Sequence, residues 1–89
     1  MSQQNISRIP SREPTLRQGD AGEGVVELQH LLQENGSTLP EVDGQFDPKT
    51  LAAVISFQQK QGLKVDGTVD HQVWGALRAG AAQSQEHGV

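Results

Sequence analysis

The hexapeptide Val42-Asp43-Gly44-Gln45-Phe46-Asp47 returns at position 65 as Val65-Asp66-Gly67-Thr68-Val69-Asp70, and Ala53 matches Ala76 in the same register. Such a repeat restricts the chain to stacking two like supersecondary units. In each copy an apolar residue, Val42 or Val65, precedes an Asp-Gly pair whose glycine allows a tight turn. A second apolar residue, Phe46 or Val69, then takes the staple position before an aspartate placed to cap a helix. The unit is a turn plus a helix, present twice.

Helical patterning surrounds the repeat. Asp20 and Glu23 have the acid-x-x-Glu spacing of a helix start, and Val25, Leu28, Leu31 and Leu32 then share one face before Asn35-Gly36 offers a stop. Asp47-Pro48 puts a carboxylate cap before a proline at the first helical position, and Leu51, Val54, Ile55 and Phe57 supply an apolar side up to Gly62. Asp70 is placed to cap a third, shorter helix, with Val73, Trp74 and Leu77 inward and an end near Gly80. The expected fold is all-α, a small three-helix bundle carrying two Asp-Gly turn-plus-helix repeats.

A chain of 89 residues has room for one such core. Residues 1–14 are polar, with only Ile6 and Ile9 as isolated apolar side chains, and are expected to form a flexible tail. Residues 81–89 have no large apolar residue before Val89 and are expected to form a second tail, leaving a domain over 15–80. With no cysteine, neither a disulfide framework nor a thiolate is available. The net charge is −4 and the seven basic residues are scattered, so neither nucleic acid nor an anionic membrane is an expected partner. No apolar run marks an export signal, so the expected location is cytoplasmic unless the chain is part of an exported protein, and the cell envelope if it is.

At these residues the chain resembles the peptidoglycan-binding-domain-like family. The resemblance is carried by Leu16-Arg17-Gln18-Gly19-Asp20-Ala21-Gly22, Val25 to Gln29, Asp43-Gly44-Gln45-Phe46, Thr50-Leu51-Ala52-Ala53-Val54-Ile55-Ser56-Phe57-Gln58, Gly62-Leu63-Lys64-Val65-Asp66-Gly67 and Trp74-Gly75-Ala76-Leu77. Two departures stand out: Asp47 takes the place of the family's usual glycine, and Asp70-His71-Gln72-Val73 the place of Gly-Pro-x-Thr. The resemblance spans about Leu16 to Leu77 and implies a three-helix fold that binds bacterial cell-wall peptidoglycan.

Catalytic and metal chemistry find no suitable set of residues. His30, His71 and His87 lie on different segments without H-x-x-x-H spacing, so no metal site and no cofactor are expected. Asp43 and Asp66 belong to Asp-Gly turns, and Asp20, Asp47 and Asp70 read as helix caps rather than calcium ligands. Ser37 and Ser56 lack the setting of a nucleophile. No enzyme is expected.

For binding, Gln29, Gln58, Gln59 and Gln61 suit the amides and hydroxyls of a muropeptide or glycan as well as they suit ordinary surface. Phe57 and Trp74 are expected in the core, with Phe46 divided between core and ligand. The expected groove lies beside the turn from Asp43 to Thr50, where amides at the helix start would meet a carboxylate or carbonyl. Gln45, Phe46 and Thr50 are the expected contacts, with Asp43 and Gly44 shaping the turn. The expected function is non-catalytic attachment of a protein, such as a tethered hydrolase, to peptidoglycan. The alternative is a protein-interaction or assembly domain of the same fold without wall affinity.

Overall fold

Each Asp-Gly turn of the repeat feeds directly into a helix. The computed structural model describes residues 14–87, which contain α1 (Glu23–Glu34), α2 (Pro48–Gln61) and α3 (His71–His87). The helix α2 begins as its sequence dictates. The Asp47 carboxylate accepts from the Thr50 amide at 2.9 Å, and Pro48 occupies the first turn, where a missing N–H costs nothing. It ends at Gly62, whose φ of 72° is left-handed. Asp70 caps α3 in the same way, accepting from the amides of Gln72 and Val73 at 3.1 and 3.2 Å.

The start of α1 differs from expectation. Gly22 is its N-cap and no side chain caps the helix. The Asp20 carboxylate instead accepts from the Arg17 amide at 2.9 Å and braces the turn before the helix. The cause is the path of the chain: Leu16 exchanges backbone hydrogen bonds with Val69, at 3.0 and 2.8 Å, and Ala21 then pairs with Gln45. The segment must cross both Asp-Gly turns before α1 can begin.

The end of α3 also differs. The helix continues through Gly80 to His87, and Ala81 lies in the core. Gly80 is there for closeness, not as a stop, since a Cβ on it would collide with Oδ1 of Asn35. Asn35, at the end of α1, donates from Nδ2 to the carbonyls of Leu31 and Leu77 at 2.7 and 2.9 Å, tying α1 to α3. The N-terminal tail expectation lies outside the described residues except for Pro14, whose carbonyl accepts from the Trp74 indole at 2.8 Å.

Leu28, Leu32, Val54, Phe57, Val69, Trp74 and Leu77 form the centre of one core, closed by Leu16 and Phe46. Among the described residues no helix is long and apolar enough to cross a membrane.

Candidate functional site

The expected site is the turn at Asp43, and its internal chemistry is set by Gln29. This side chain is almost wholly buried, at 1% exposure. Its Oε1 accepts from the Gly44 amide at 2.9 Å. Its Nε2 donates to the Gln45 carbonyl and the Thr50 hydroxyl, both at 3.0 Å, and to Asp43 Oδ1 at 3.2 Å. Asp43 Oδ1 also accepts from the Gln45 amide at 3.0 Å, which closes the turn.

The second copy repeats this pattern. Gln58 accepts from the Gly67 amide at 2.9 Å and donates to the Thr68 carbonyl and Asp66 Oδ1, each at 3.0 Å. Asp66 Oδ1 accepts from the Thr68 amide at 2.9 Å. That amide first, and then the Gln58 side chain, hold the Asp66 carboxyl below its ordinary pKa. The Thr50 amide does the same for Asp47. Gln29 and Gln58 are therefore latches for buried backbone, which corrects their reading as surface hydrogen-bonders. Gln59 and Gln61 are exposed.

This geometry divides the expected contact residues. Phe46 and Thr50 are buried, at 3% and 1% exposure, and so are not available to a ligand. Phe46 packs in the core, as a staple residue should, and Thr50 completes the latch. Gly44 is buried with φ 78°. Asp43 and Gln45 are exposed, but one Asp43 oxygen is already engaged in the turn. The space beside the turn, bordered by Gln29, Pro40, Asp43 and Thr50, amounts to about 10 Å³. That is room for roughly one water and not for a muropeptide.

A groove of about 470 Å³ opens next to it. One wall is the connection 35–40, and the other is a side of α2 formed by Lys49, Ala52, Ala53, Ser56 and Lys60, with the core residue Phe57 at its base. No acidic residue lines it. A comparison of the two copies explains why it exists. From latch glutamine to turn aspartate the first copy takes 14 residues and the second takes 8. The shorter path closes the same latch, so the turn does not need the extra length, which instead builds the groove wall. The expected site is the turn itself, and the unequal spacing of two otherwise matching copies is the sequence signal for the groove beside it.

A second concavity on α1, bordered by Glu23, Val26, Glu27, His30, Leu31 and Glu34, has the opposite charge. Among the described residues no group of three or more His, Cys, Asp or Glu is placed to hold a metal ion.

Over residues 21–77, more than half of the chain, the sequence matches the family described as "Putative peptidoglycan binding domain". It is 48% identical over 66 residues to an uncharacterized protein of Kitasatospora aureofaciens, covering 73% of this chain and 56% of that one. It is 46% identical over 52 residues to the spore cortex-lytic enzyme of Bacillus cereus, covering 58% of this chain and 20% of the enzyme. The crystal structure of the SleB N-terminal domain superposes with a TM-score of 0.74 at 36% identity, covering 78% of this chain and 94% of that domain. The chain thus spans about half of the first relative and a fifth of the second.

Proposed function

We propose that this chain, which belongs to the peptidoglycan-binding domain family, is a non-catalytic module that attaches a protein to the bacterial cell wall. The observation that carries this reading is the family match over 21–77, which takes in both latched turns and the groove on α2. The likeness to the N-terminal domain of SleB supports it, because that domain is matched over nearly its whole length. By contrast, the chain corresponds to only a fifth of the spore cortex-lytic enzyme. A module of this kind contributes effective concentration, holding a linked hydrolase near its polymer so that each dissociation of the catalytic part is followed by rapid rebinding.

The surface that meets the wall is the 470 Å³ groove, with Asp43 in the small space next to it. The test is sedimentation with purified sacculi. The chain is expected in the pellet, with an unrelated acidic domain of similar size left in the supernatant. Equal partitioning of the two would refute wall binding and leave the protein-interaction reading.

A further inference from the structure

Resting on that wall-binding reading, we propose that the groove recognises the acidic stem peptide of peptidoglycan and not its glycan, with the peptide extended along α2 between Lys49 and Lys60. The first argument is what the surface lacks. Sugar rings are held in protein sites by stacking on exposed aromatic faces. The three aromatic side chains of this sequence, Phe46, Phe57 and Trp74, are all buried, at 3%, 5% and 1% exposure. Phe57 borders the groove, but with 5% of its surface exposed it offers no face for a ring to stack on.

The second argument is charge. The chain carries −4 overall, yet the groove itself is lined by two lysines and no acid, the acids Glu41, Asp43 and Asp47 bordering only the small space beyond its Lys49 end. The concavity on α1 is bordered by Glu23, Glu27 and Glu34 and by no lysine or arginine, with Glu27 paired to Arg78 at 3.1 Å, and so offers an anionic ligand less than the groove does. In the intact wall the lactyl carboxyl of each substituted muramic acid is consumed in the amide bond to its stem, so the charge lies on the stem peptide, which carries carboxylates both along its length and at its end.

The third argument is length. Lys49 and Lys60 are eleven residues apart on one helix, which separates their Cα atoms by about 16 Å. An extended peptide of four or five residues reaches about 13–18 Å. One carboxylate at each lysine is therefore compatible with a single stem, and the hydroxyl of Ser56, between them on α2, and the polar groups of Ser37 and Thr38 on the loop wall are there for its amides. The two ends are unequal. Lys49 borders the same small space as the acids Glu41, Asp43 and Asp47, while Lys60 sits in the last turn of α2.

The experiment titrates the full chain with two probes, a soluble stem tetrapeptide and an uncharged N-acetylglucosamine oligosaccharide as the glycan, and follows backbone amide shifts. The tetrapeptide is expected to move residues 35–40 and 49–60, and the glycan to move none of them. Lys60→Gln and Lys49→Gln should each weaken tetrapeptide binding about two- to five-fold, the effect of an exposed charge pair, with Lys60→Gln the larger. Both lysines are exposed, so unchanged melts of the variants verify folding. Glycan-induced shifts in the groove, or tetrapeptide shifts confined to α1, would overturn the assignment. So would retention of K49Q/K60Q on sacculi at wild-type affinity, which leaves wall binding itself intact. If the unsubstituted chain stays off sacculi, it is the underlying reading that fails.

Discussion

Gln58 stands to Asp66 as Gln29 stands to Asp43: in both copies the carboxamide takes the glycine amide on its oxygen and gives its N–H groups to the aspartate and to a turn carbonyl. The repeat is thus one hydrogen-bonded device used twice, once between α1 and the first turn and once between α2 and the second. Besides the length of the connection, the copies differ in that Thr50 adds a hydroxyl to the first latch, where the matching position of the second is Val73.

Removing a latch should be costly because the groups it satisfies stay buried. Gln58→Ala leaves the buried Gly67 amide without its acceptor, and a buried orphan of this kind costs about 1–3 kcal/mol. Gln58→Glu retains an acceptor but cannot donate and sets a charge against Asp66, so it should be no better than alanine near neutral pH. Urea denaturation measures both, and a midpoint equal to the unsubstituted chain would show that water replaces the latch.

Trp74 joins the core to the N-terminal segment. At 1% exposure, and with its indole donating to the Pro14 carbonyl, Trp74→Ala should cost about 3–5 kcal/mol, against a total of about 5–15 kcal/mol for a whole domain. Trp74→Phe keeps most of the bulk and loses the hydrogen bond, so its loss should be smaller. Thermal melts rank the two, and equal melts for alanine and unsubstituted protein would contradict the burial.

The fold was legible because its signals are local. Asp47-Pro48 and Gly62 bound α2, and the alternation of turn and apolar residue marks both units. What sequence reading missed depends on distant partners. Gln29 follows Leu28 and Gln58 follows Phe57 on buried helix faces, but a glutamine there reads as polar surface unless the turn it will satisfy, 14 or 8 residues away, is known. Asp20 was misread as a cap because the spacing to Glu23 is right, while the strand-like crossing that pushes α1 past Gly22 involves residues 45 and 69. Phe46, divided in the sequence between core and ligand, is buried at its staple position, and Thr50, expected as a ligand contact, is buried because it pairs with Gln29, a partner 21 residues away.

Acid should act through Asp47 and Asp66. Both have folded pKa values below the ordinary 3.8, because amides of Thr50 and Thr68 donate to their ionised forms. The unfolded chain therefore binds these protons more readily, and the stabilisation is complete above about 3.8 and lost as pH falls through the depressed folded values. Asp66→Asn keeps an oxygen for Thr68 and Gln58 but does not titrate. Chemical denaturation across pH 2 to 6, in roughly unit steps, should show a shallower acid limb for this variant, and an unchanged slope would remove Asp66 as a contributor.

Two glycines of α3 should respond to the same substitution with opposite signs. Gly75 has nothing within 4 Å of where a Cβ would stand and is exposed within the helix. Gly75→Ala should therefore stabilise by about 0.5–1 kcal/mol, through the lower backbone entropy of the unfolded chain. Gly80 has the same helical setting, but the Asn35 side chain occupies the Cβ position. For Gly80→Ala the helical gain is opposed by displacement of Asn35, which loses its hydrogen bonds to Leu31 and Leu77, so the net effect should be destabilising. Asn35→Ala clears that space, and adding Gly80→Ala on that background should restore the ordinary gain. The double-mutant cycle read by denaturation gives the coupling between the two sites, expected at about 0.5–3 kcal/mol. If Gly80→Ala stabilises the unsubstituted protein as Gly75→Ala does, Asn35 does not dock on α3 and the helix has another reason to carry glycine at that position.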